Sequence, residues 1–220
     1  MLDRPSARAQ LRRNPRCDDW RGVGWNAPYR DPYARSCLGE AAVAQRRPLW
    51  VRSVSDRRLR HADSAAFRQA MRALPSGVAI VACGEGEARA GCTATSLASL
   101  SLAPPTLVVC LARSSSTLAA LRDAGAFSIN LLAARHRALA HRFSGHGGVH
   151  GPRRFDGAQW TTLATGAPVL ADAIAAFDCL VEEVIERHSH AIVLGAVVSL
   201  TEGVDEAVLA RRRGDYARLA

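Results

Sequence analysis

The chain has 220 residues, of which 48% are hydrophobic, so it is long enough for one ordinary domain with a buried core. Its formal charge of +9 is unevenly spread: residues 1–60 hold 14 Arg and 6 acids (+8), whereas residues 61–220 hold 15 Arg and 14 acids (+1). We therefore expect no nucleic-acid binding by the longer segment, and no apolar run long enough for a membrane span occurs in the sequence.

The first 60 residues differ from the rest. They are rich in Arg and Pro and show neither a helical nor a strand period. Two interpretations stay open, a disordered basic arm or a segment translated from upstream of the true start. In either case we expect residues 61–220 to form the working domain.

Cysteine usage and the amino terminus indicate the compartment. None of the six cysteines forms a CxxC pair, so neither a zinc site nor a disulfide framework is expected. The first residues contain scattered Arg and no apolar stretch of the kind found in secretory signals. These features predict a cytoplasmic protein without a metal.

Order is predicted from residue 63 onward. A helix begins at Asp63 or Ser64, because Phe67, Met71 and Leu74 then share one face. Further helices are predicted at 117–124, after a serine cap and before Gly125, and at 135–143. Strands are predicted at 77–83, 89–95, 106–111, 126–132, 175–186 and 191–200. Many short strands, few helices and no βαβ spacing predict a mostly β protein with an antiparallel barrel.

One stretch has the composition of an anion site. The sequence contains neither GxGxxG after a strand nor GxxxxGK[ST], which excludes the two common nucleotide loops. Residues 111–117 instead run from a strand into a helix start, where hydroxyls, free N–H groups and one guanidinium converge. The residues concerned are Arg113, Ser114, Ser115, Ser116 and Thr117. The alternative is that Ser115 or Ser116 only caps the helix.

A second hydroxyl-rich stretch leaves the strand at 89–95. Thr93, Ala94, Thr95 and Ser96 are small, so a flat heteroaromatic ring could approach their backbone closely. The alternative is a polar loop with local Ser/Thr turns.

Two further residues are candidates for ligand contacts. Asn130 lies opposite the apolar face of its strand and points either at a ligand or at solvent. His188 and His190 share a strand face, but no third ligand completes a metal site, so a surface or substrate contact is expected.

The order of the motifs carries a resemblance. In chain order the segments are FRQAMRALPSGVAIVAC, AGCTATSLASLSLAPPTLVVCLARSSSTLAALRDAGAFSINLLA, HRFSG, RRFDG, GAPVL, AAFDCLVEEV, HSHAIVLGAVVSL and RRRGDYARL, and the matched stretch runs roughly from Ser64 to Leu219. This pattern resembles the flavin reductase family, whose fold is the flavin-binding split barrel. The resemblance implies an antiparallel split barrel with a few short flanking helices.

The resemblance also implies roles for individual residues. Thr93, Ala94, Thr95 and Ser96 correspond to the contact with the isoalloxazine ring and ribityl chain. Arg113, Ser114, Ser116 and Thr117 correspond to the phosphate clamp, and Asn130 to an Asn beside the flavin. Arg154, Phe155 and His190 correspond to the NAD(P)H side, although Arg153 stands where the family usually has Asp.

The implied function is that of an NAD(P)H:flavin oxidoreductase, with hydride passing from nicotinamide C4 to flavin N5. The flavin is FMN or FAD, the reductant NADH or NADPH, and no catalytic acid or nucleophile is required, which makes His190 a positioning residue. Family members are usually homodimers that supply reduced flavin to a partner monooxygenase. The alternative is a flavin-binding split-barrel protein without reductase activity, used in storage or sensing.

Overall fold

The computed structural model describes residues 61–203 and 205–219, so the interpretations of residues 1–60 lie outside the described residues. Three α-helices and twelve strands occur in the described part, together with short 3-10 turns. The helices are α1 (Ser64–Met71), α2 (Ser116–Ala124) and α3 (Arg137–Phe143). The strands are β1 (Ser76–Gly77), β2 (Ala79–Cys83), β3 (Ala90–Ala94), β4 (Leu97–Leu102), β5 (Pro105–Ala112), β6 (Ala126–Leu131), β7 (Trp160–Thr162), β8 (Pro168–Leu170), β9 (Ala175–Arg187), β10 (His190–Glu202), β11 (Val208–Arg212) and β12 (Asp215–Leu219).

The strands form one large sheet and two small ones. Seven strands pair in the order β3-β2-β6-β9-β10-β5-β4, while β1-β11-β12 and β7-β8 form the smaller sheets. All of these described ladders are antiparallel. The prediction of a mostly β, antiparallel fold with few short helices is confirmed.

Strand β2 lies inside the large sheet and is buried on both faces. Ile80 and Ala82 enter one apolar cluster, which α3 covers with Phe143. Val81 enters the other cluster, which α2 covers with Leu118. Because successive side chains of a strand point to opposite faces, this one strand serves two cores. The two helices are thereby placed on opposite sides of it.

The predicted helix ends are confirmed. Asp63 Oδ1 accepts hydrogen bonds from the N–H groups of Ala65 and Ala66 at 3.0 and 2.8 Å. Ser115 Oγ accepts one from the Thr117 N–H at 3.2 Å, and Gly125 ends α2 with a φ of +65°. Both caps satisfy backbone groups that the helix itself leaves unpaired.

Strand β4 is the longest of the strands that the sequence did not predict, the others being β7, β8, β11 and β12. It is an edge strand whose side chains are mostly exposed, so it lacks the apolar alternation that marks a half-buried strand. No helix among the residues that the structure describes is long and apolar enough to cross a membrane.

Candidate functional site

The amino-terminal turn of α2 contains a buried hydroxyl without a partner. Thr117 is 0% exposed, and its Oγ1 has no hydrogen-bond partner of good geometry among the described residues, although the weakly accepting Cys92 sulfur lies near it. A buried polar group left in this state costs about 1–3 kcal/mol. Since helix N-termini also attract anions, a ligand oxygen bound at this turn would pair with the hydroxyl once the turn shifts to admit it.

Strand β3 brings a thiol and a second cation to the same turn. Burial raises the pKa of the Cys92 thiol, while the neighbouring Thr117 hydroxyl, the Arg154 charge and the Ser115 hydroxyl oppose that rise. Arg154 is held there by donating to the carbonyl of Gly91 at 2.8 Å and to that of Val149 at 3.0 Å. The turn therefore has a fixed guanidinium behind it.

Arg113, the cation of the predicted clamp, is tied to the β9–β10 hairpin. Its guanidinium pairs with Glu186 at 2.8 Å and donates to the carbonyl of His188 at 3.2 Å. Hydrogen bonding by Arg122 and the charge of Arg113 hold the pKa of Glu186 below its ordinary value. The carboxylate thus offsets part of the positive charge, and Arg113 stays half exposed at the rim.

The same hairpin places His190 near the turn. His190 lies opposite Ala112 in the β5–β10 ladder, and the backbone N–H of Arg113 donates to the carbonyl of Ser189 at 3.0 Å. The ring is exposed, and its Nδ1 lies 2.9 Å from Ser189 Oγ. The structure therefore brings His190 and the predicted phosphate clamp to one end of the sheet.

The stretch Thr93–Ser96 runs away from that end along the edge of the sheet. Thr93 Oγ1 donates to the carbonyl of Ala140 at 2.7 Å, and Ser96 Oγ donates to that of Cys110 at 2.7 Å. Thr95 makes no side-chain hydrogen bond with other described residues. Strand β3 ends at Ala94, and Thr95 and Ser96 lead on to β4, so residues 93–96 provide a polar strip for an elongated ligand.

Free hydroxyls remain at both ends of this strip. The side chains of Ser114 and Ser116 are exposed and make no hydrogen bond with other described residues. Together with Thr95 they leave donors and acceptors for a ligand that has a ring at one end and an anion at the other.

Asn130 does not join these residues, and the interpretation that it faces a ligand or solvent is corrected. Its side chain is 0% exposed. Its amide nitrogen donates to the carbonyl of Ile80 at 3.2 Å and to Ser128 Oγ at 2.9 Å, and its oxygen accepts from the Leu170 N–H at 2.7 Å. The face opposite the apolar side chains of β6 is covered by β8, so Asn130 links three strands inside the protein.

Phe155 is likewise placed in the core, away from any nicotinamide that could bind beside Arg154. It is 2% exposed and packs edge-on against Phe143 and Trp160, with ring centroids 5.0 and 4.9 Å apart. The adjacent Arg154 keeps the position described above. Phe155 is therefore a core residue, whereas Arg154 lies near the first turn of α2.

Sequence reasoning missed Cys92 as a neighbour of the clamp, and it did not predict that Arg154, expected on the NAD(P)H side, lies near that thiol. The only available signal was period 2 along β3, which puts Cys92 and Ala94 on one face. The residue that this face meets depends on the packing of α2 against β3. Within the described part of the chain, no group of His, Cys, Asp and Glu side chains could hold a metal ion.

The arrangement offers a ring-and-anion binding strip but no catalytic acid–base pair. Its hydroxyls and guanidinium groups can bind and orient, whereas none of them is placed as a nucleophile activated by a base. Chemistry at this site would come from a bound cofactor.

Comparison with known proteins gives an independent result. A family model described as a flavin reductase like domain matches residues 71–220. The chain is similar to the FMN reductase (NADH) RutF 2 of Methylorubrum extorquens (strain PA1), with 44% identity over 140 residues, which are 64% of this chain and 80% of that protein.

Solved structures show the same likeness. A putative flavin reductase from Haemophilus somnus 129PT superposes with a TM-score of 0.68 and 29% identity, covering 72% of this chain and 100% of that one. BorF, the flavin reductase component of a bacterial two-component tryptophan halogenase, superposes with a TM-score of 0.66 and 28% identity, covering 71% and 98%.

Proposed function

Because the chain belongs to the flavin reductase-like family, we propose that it is an oxidoreductase that uses NADH to reduce a flavin. The observation that carries the proposal is the unpaired, fully buried Oγ1 of Thr117 at the start of α2, which a flavin phosphate oxygen would satisfy. When bound, the flavin supplies N5 as acceptor for a hydride from nicotinamide C4.

The residues of this chain bind and orient. Thr117 donates its hydroxyl to the phosphate, Ser114 and Ser116 add hydroxyls, and Arg154 and Arg113 supply positive charge from two sides. Thr95 and the backbone of residues 93–96 contact the ring and hold it in one plane. Holding the two reactants together in this way removes most of the entropic barrier to their encounter.

His190 is proposed as a positioning residue for the nicotinamide. It is exposed at the clamp end of the sheet, and its contact with Ser189 Oγ fixes the ring orientation through Nδ1. The other ring nitrogen is then available for a hydrogen bond or for exchange of a proton with solvent. Neither role makes His190 a nucleophile.

An exposed apolar patch supports a homodimer. Leu100 and Leu102 on β4, Leu180 on β9, and Val198 and Leu200 on β10 are each at least 46% exposed. They lie within four consecutive strands of the large sheet. Patches of this kind on a folded chain mark interaction sites, and a second copy of this chain is the proposed occupant.

The proposed physiological role is the supply of reduced flavin to a flavin-dependent oxygenase. BorF is the reductase component of a two-component halogenase, and its likeness to this chain supports such a pairing. The clamp is at the protein surface, since Ser114, Ser116 and Arg113 are exposed, so a flavin could leave it without opening of the core.

The proposal is tested with the purified full-length chain, FMN and NADH under air. We expect loss of the nicotinamide absorbance at a rate that saturates with both compounds. If FMN binds but NADH is not consumed, the protein is the flavin-binding module without reductase activity, and the proposal is refuted.

A further inference from the structure

A basic groove lies between α1 and the β11–β12 hairpin. It has a volume of about 650 Å³, and Thr95 and Ser96 form part of its wall. We call it the arginine groove after the five arginines that line it, Arg68, Arg72, Arg211, Arg212 and Arg213. No Asp or Glu is among its lining residues.

The walls of the arginine groove are fixed to each other by the backbone. The N–H of Arg213 donates to the carbonyl of Arg72 at 2.6 Å, and the Arg72 guanidinium donates back to the carbonyl of Arg213. Gly214 has a φ of +94°, and a Cβ there would lie 3.1 Å from Cζ of Arg72. A glycine is thus required for the hairpin turn to close on α1.

The groove arginines form no ion pair with other described residues, although Asp215 lies opposite Arg212 in the β11–β12 ladder. Within the described residues, the ion pairs involve Arg113, Arg122, Arg135 and His136, and none involves a groove arginine. The Arg72 guanidinium donates a hydrogen bond to the carbonyl of Arg213, and the Arg211 guanidinium lies 5.8 Å from the centre of the Tyr216 ring. Guanidinium groups gathered without carboxylates repel one another, and a polyanion would relieve that repulsion.

The position of the groove indicates which anion it meets. It shares Thr95 and Ser96 with the proposed ring contact, while the α2 clamp lies beside Cys92, three residues earlier in the chain. A flavin with its phosphate at the clamp and its ring at Thr95 has the groove next to its ring, so a pyridine nucleotide stacked on that ring would extend its pyrophosphate into the groove. The exposed side chains of Met71 and Leu74 offer apolar surface for a base at the same place.

We propose that the arginine groove binds the adenosine diphosphate part of a dinucleotide. The guanidinium fork matches two phosphate oxygens at once, which suits a pyrophosphate better than a single charge would. The inference rests on the proposed function for its choice of ligand, because NADH, the proposed reductant, carries this group. It places the dinucleotide contacts on α1 and the last hairpin, away from Phe155.

The direct test is calorimetric titration of the full-length protein with ADP as the probe. The double variant Arg68→Ala with Arg212→Ala should raise the Kd for ADP at least tenfold. The matched control, Arg153→Ala with Arg218→Ala, removes the same charge from exposed positions outside the groove and should leave it unchanged. Failure of the wild type to bind ADP, or equal weakening in the control, would overturn the inference.

Titration with FMN separates the groove from the clamp. The groove variant should keep the wild-type Kd for FMN, because the flavin phosphate is held at α2. If the groove variant raises the Kd for FMN as much as the Kd for ADP, the groove holds the flavin phosphate and the inference is refuted. Neither titration needs turnover, so a chain that binds ADP in this way but does not oxidise NADH would refute only the proposed function.

Two further measurements on the groove variant, the KM for NADH and the Kd for FAD, test which dinucleotide the groove binds. A higher KM for NADH with FMN as acceptor assigns the groove to the pyridine nucleotide. A higher Kd for FAD, with an unchanged KM for NADH, would show that the groove holds the flavin dinucleotide, and the inference would be wrong. If neither value changes in the groove variant, the groove binds no dinucleotide of the reaction, and the inference is wrong.

Discussion

Replacing Thr117 by Val should strengthen the fold and weaken the flavin site at the same time. In the unliganded protein the Thr117 hydroxyl is fully buried and unpaired. Valine has nearly the same shape and helix propensity, so the exchange removes an unsatisfied polar group from the core. The free energy of unfolding should rise by about 1 kcal/mol or more, which corresponds to an increase in Tm of roughly 2–4 °C for a domain of this size.

The effect on ligand binding has the opposite sign. A hydrogen bond to a charged phosphate contributes about 1.5–3 kcal/mol, so its loss should raise the Kd for FMN by about 10- to 150-fold. Urea unfolding of the unliganded protein measures the first effect, and fluorescence titration with FMN measures the second. Opposite signs in one variant distinguish a binding hydroxyl from a structural one.

Thr106→Val is the matched control. Thr106 is also buried, but its hydroxyl donates to the carbonyl of Pro104 at 3.2 Å. Its loss should lower the free energy of unfolding by about 1 kcal/mol and leave the Kd for FMN unchanged. If Thr117→Val destabilises the protein as Thr106→Val does, or leaves FMN affinity intact, the reasoning about the clamp is refuted.

Three further predictions concern the fold, the rim and the apolar patch. Asn130→Leu should lower the free energy of unfolding by about 2–4 kcal/mol, because it leaves the carbonyl of Ile80 and the N–H of Leu170 without their side-chain partner. The folded fraction should keep its affinity for FMN. A large loss of affinity without loss of stability would show instead that Asn130 contacts the ligand. The pKa of Glu186 is lowered in the folded state, so its ionised carboxylate stabilises the protein at pH values above its ordinary pKa of 4.5, and this stabilisation is lost as the pH falls below 4.5. Glu186→Gln should therefore flatten the acid side of the stability profile measured by urea unfolding. An unchanged profile would contradict the Arg113–Glu186–Arg122 arrangement. Leu102→Glu, at a side chain 87% exposed, should convert a dimer into a monomer in light scattering, and a wild type that is already monomeric at all concentrations would remove the dimer proposal.

The sequence predicted the elements whose signals are local. The cap at Asp63, the serine start and Gly125 end of α2, and the apolar runs of β2, β5, β6, β9 and β10 all depend on neighbouring residues, and the structure contains each of them. The single strand predicted over 77–83 is divided at Val78, because β1 pairs with β11 and β2 with β3 and β6. The apolar pattern of a sequence does not reveal such a change of the strand with which a segment pairs.

The candidate site was predicted in part. The residues of the clamp and of the strip are continuous in sequence, so their composition was sufficient to select them. Asn130 and Phe155 were misjudged because alternation tells which face a residue is on, but not what covers that face. The second aromatic–aliphatic core around Phe143, formed by α3 and β8, covers both.

The arginine groove was invisible in the sequence for a related reason. Arg68 and Arg72 are separated from Arg211–Arg213 by most of the chain, and the near-neutral charge of residues 61–220 concealed a local concentration of cations. The pairing of β1 with β11 and the hydrogen bonds between Arg72 and Arg213 bring the two segments together.

The central claim is that this chain transfers a hydride from NADH to a bound flavin. Anaerobic mixing of the FMN-loaded protein with NADH, and with NADH deuterated at C4, measures that step directly. We predict bleaching of the flavin absorbance, with a slower rate for the deuterated compound. Flavin that binds to the protein but stays oxidised in the presence of excess NADH would contradict the account.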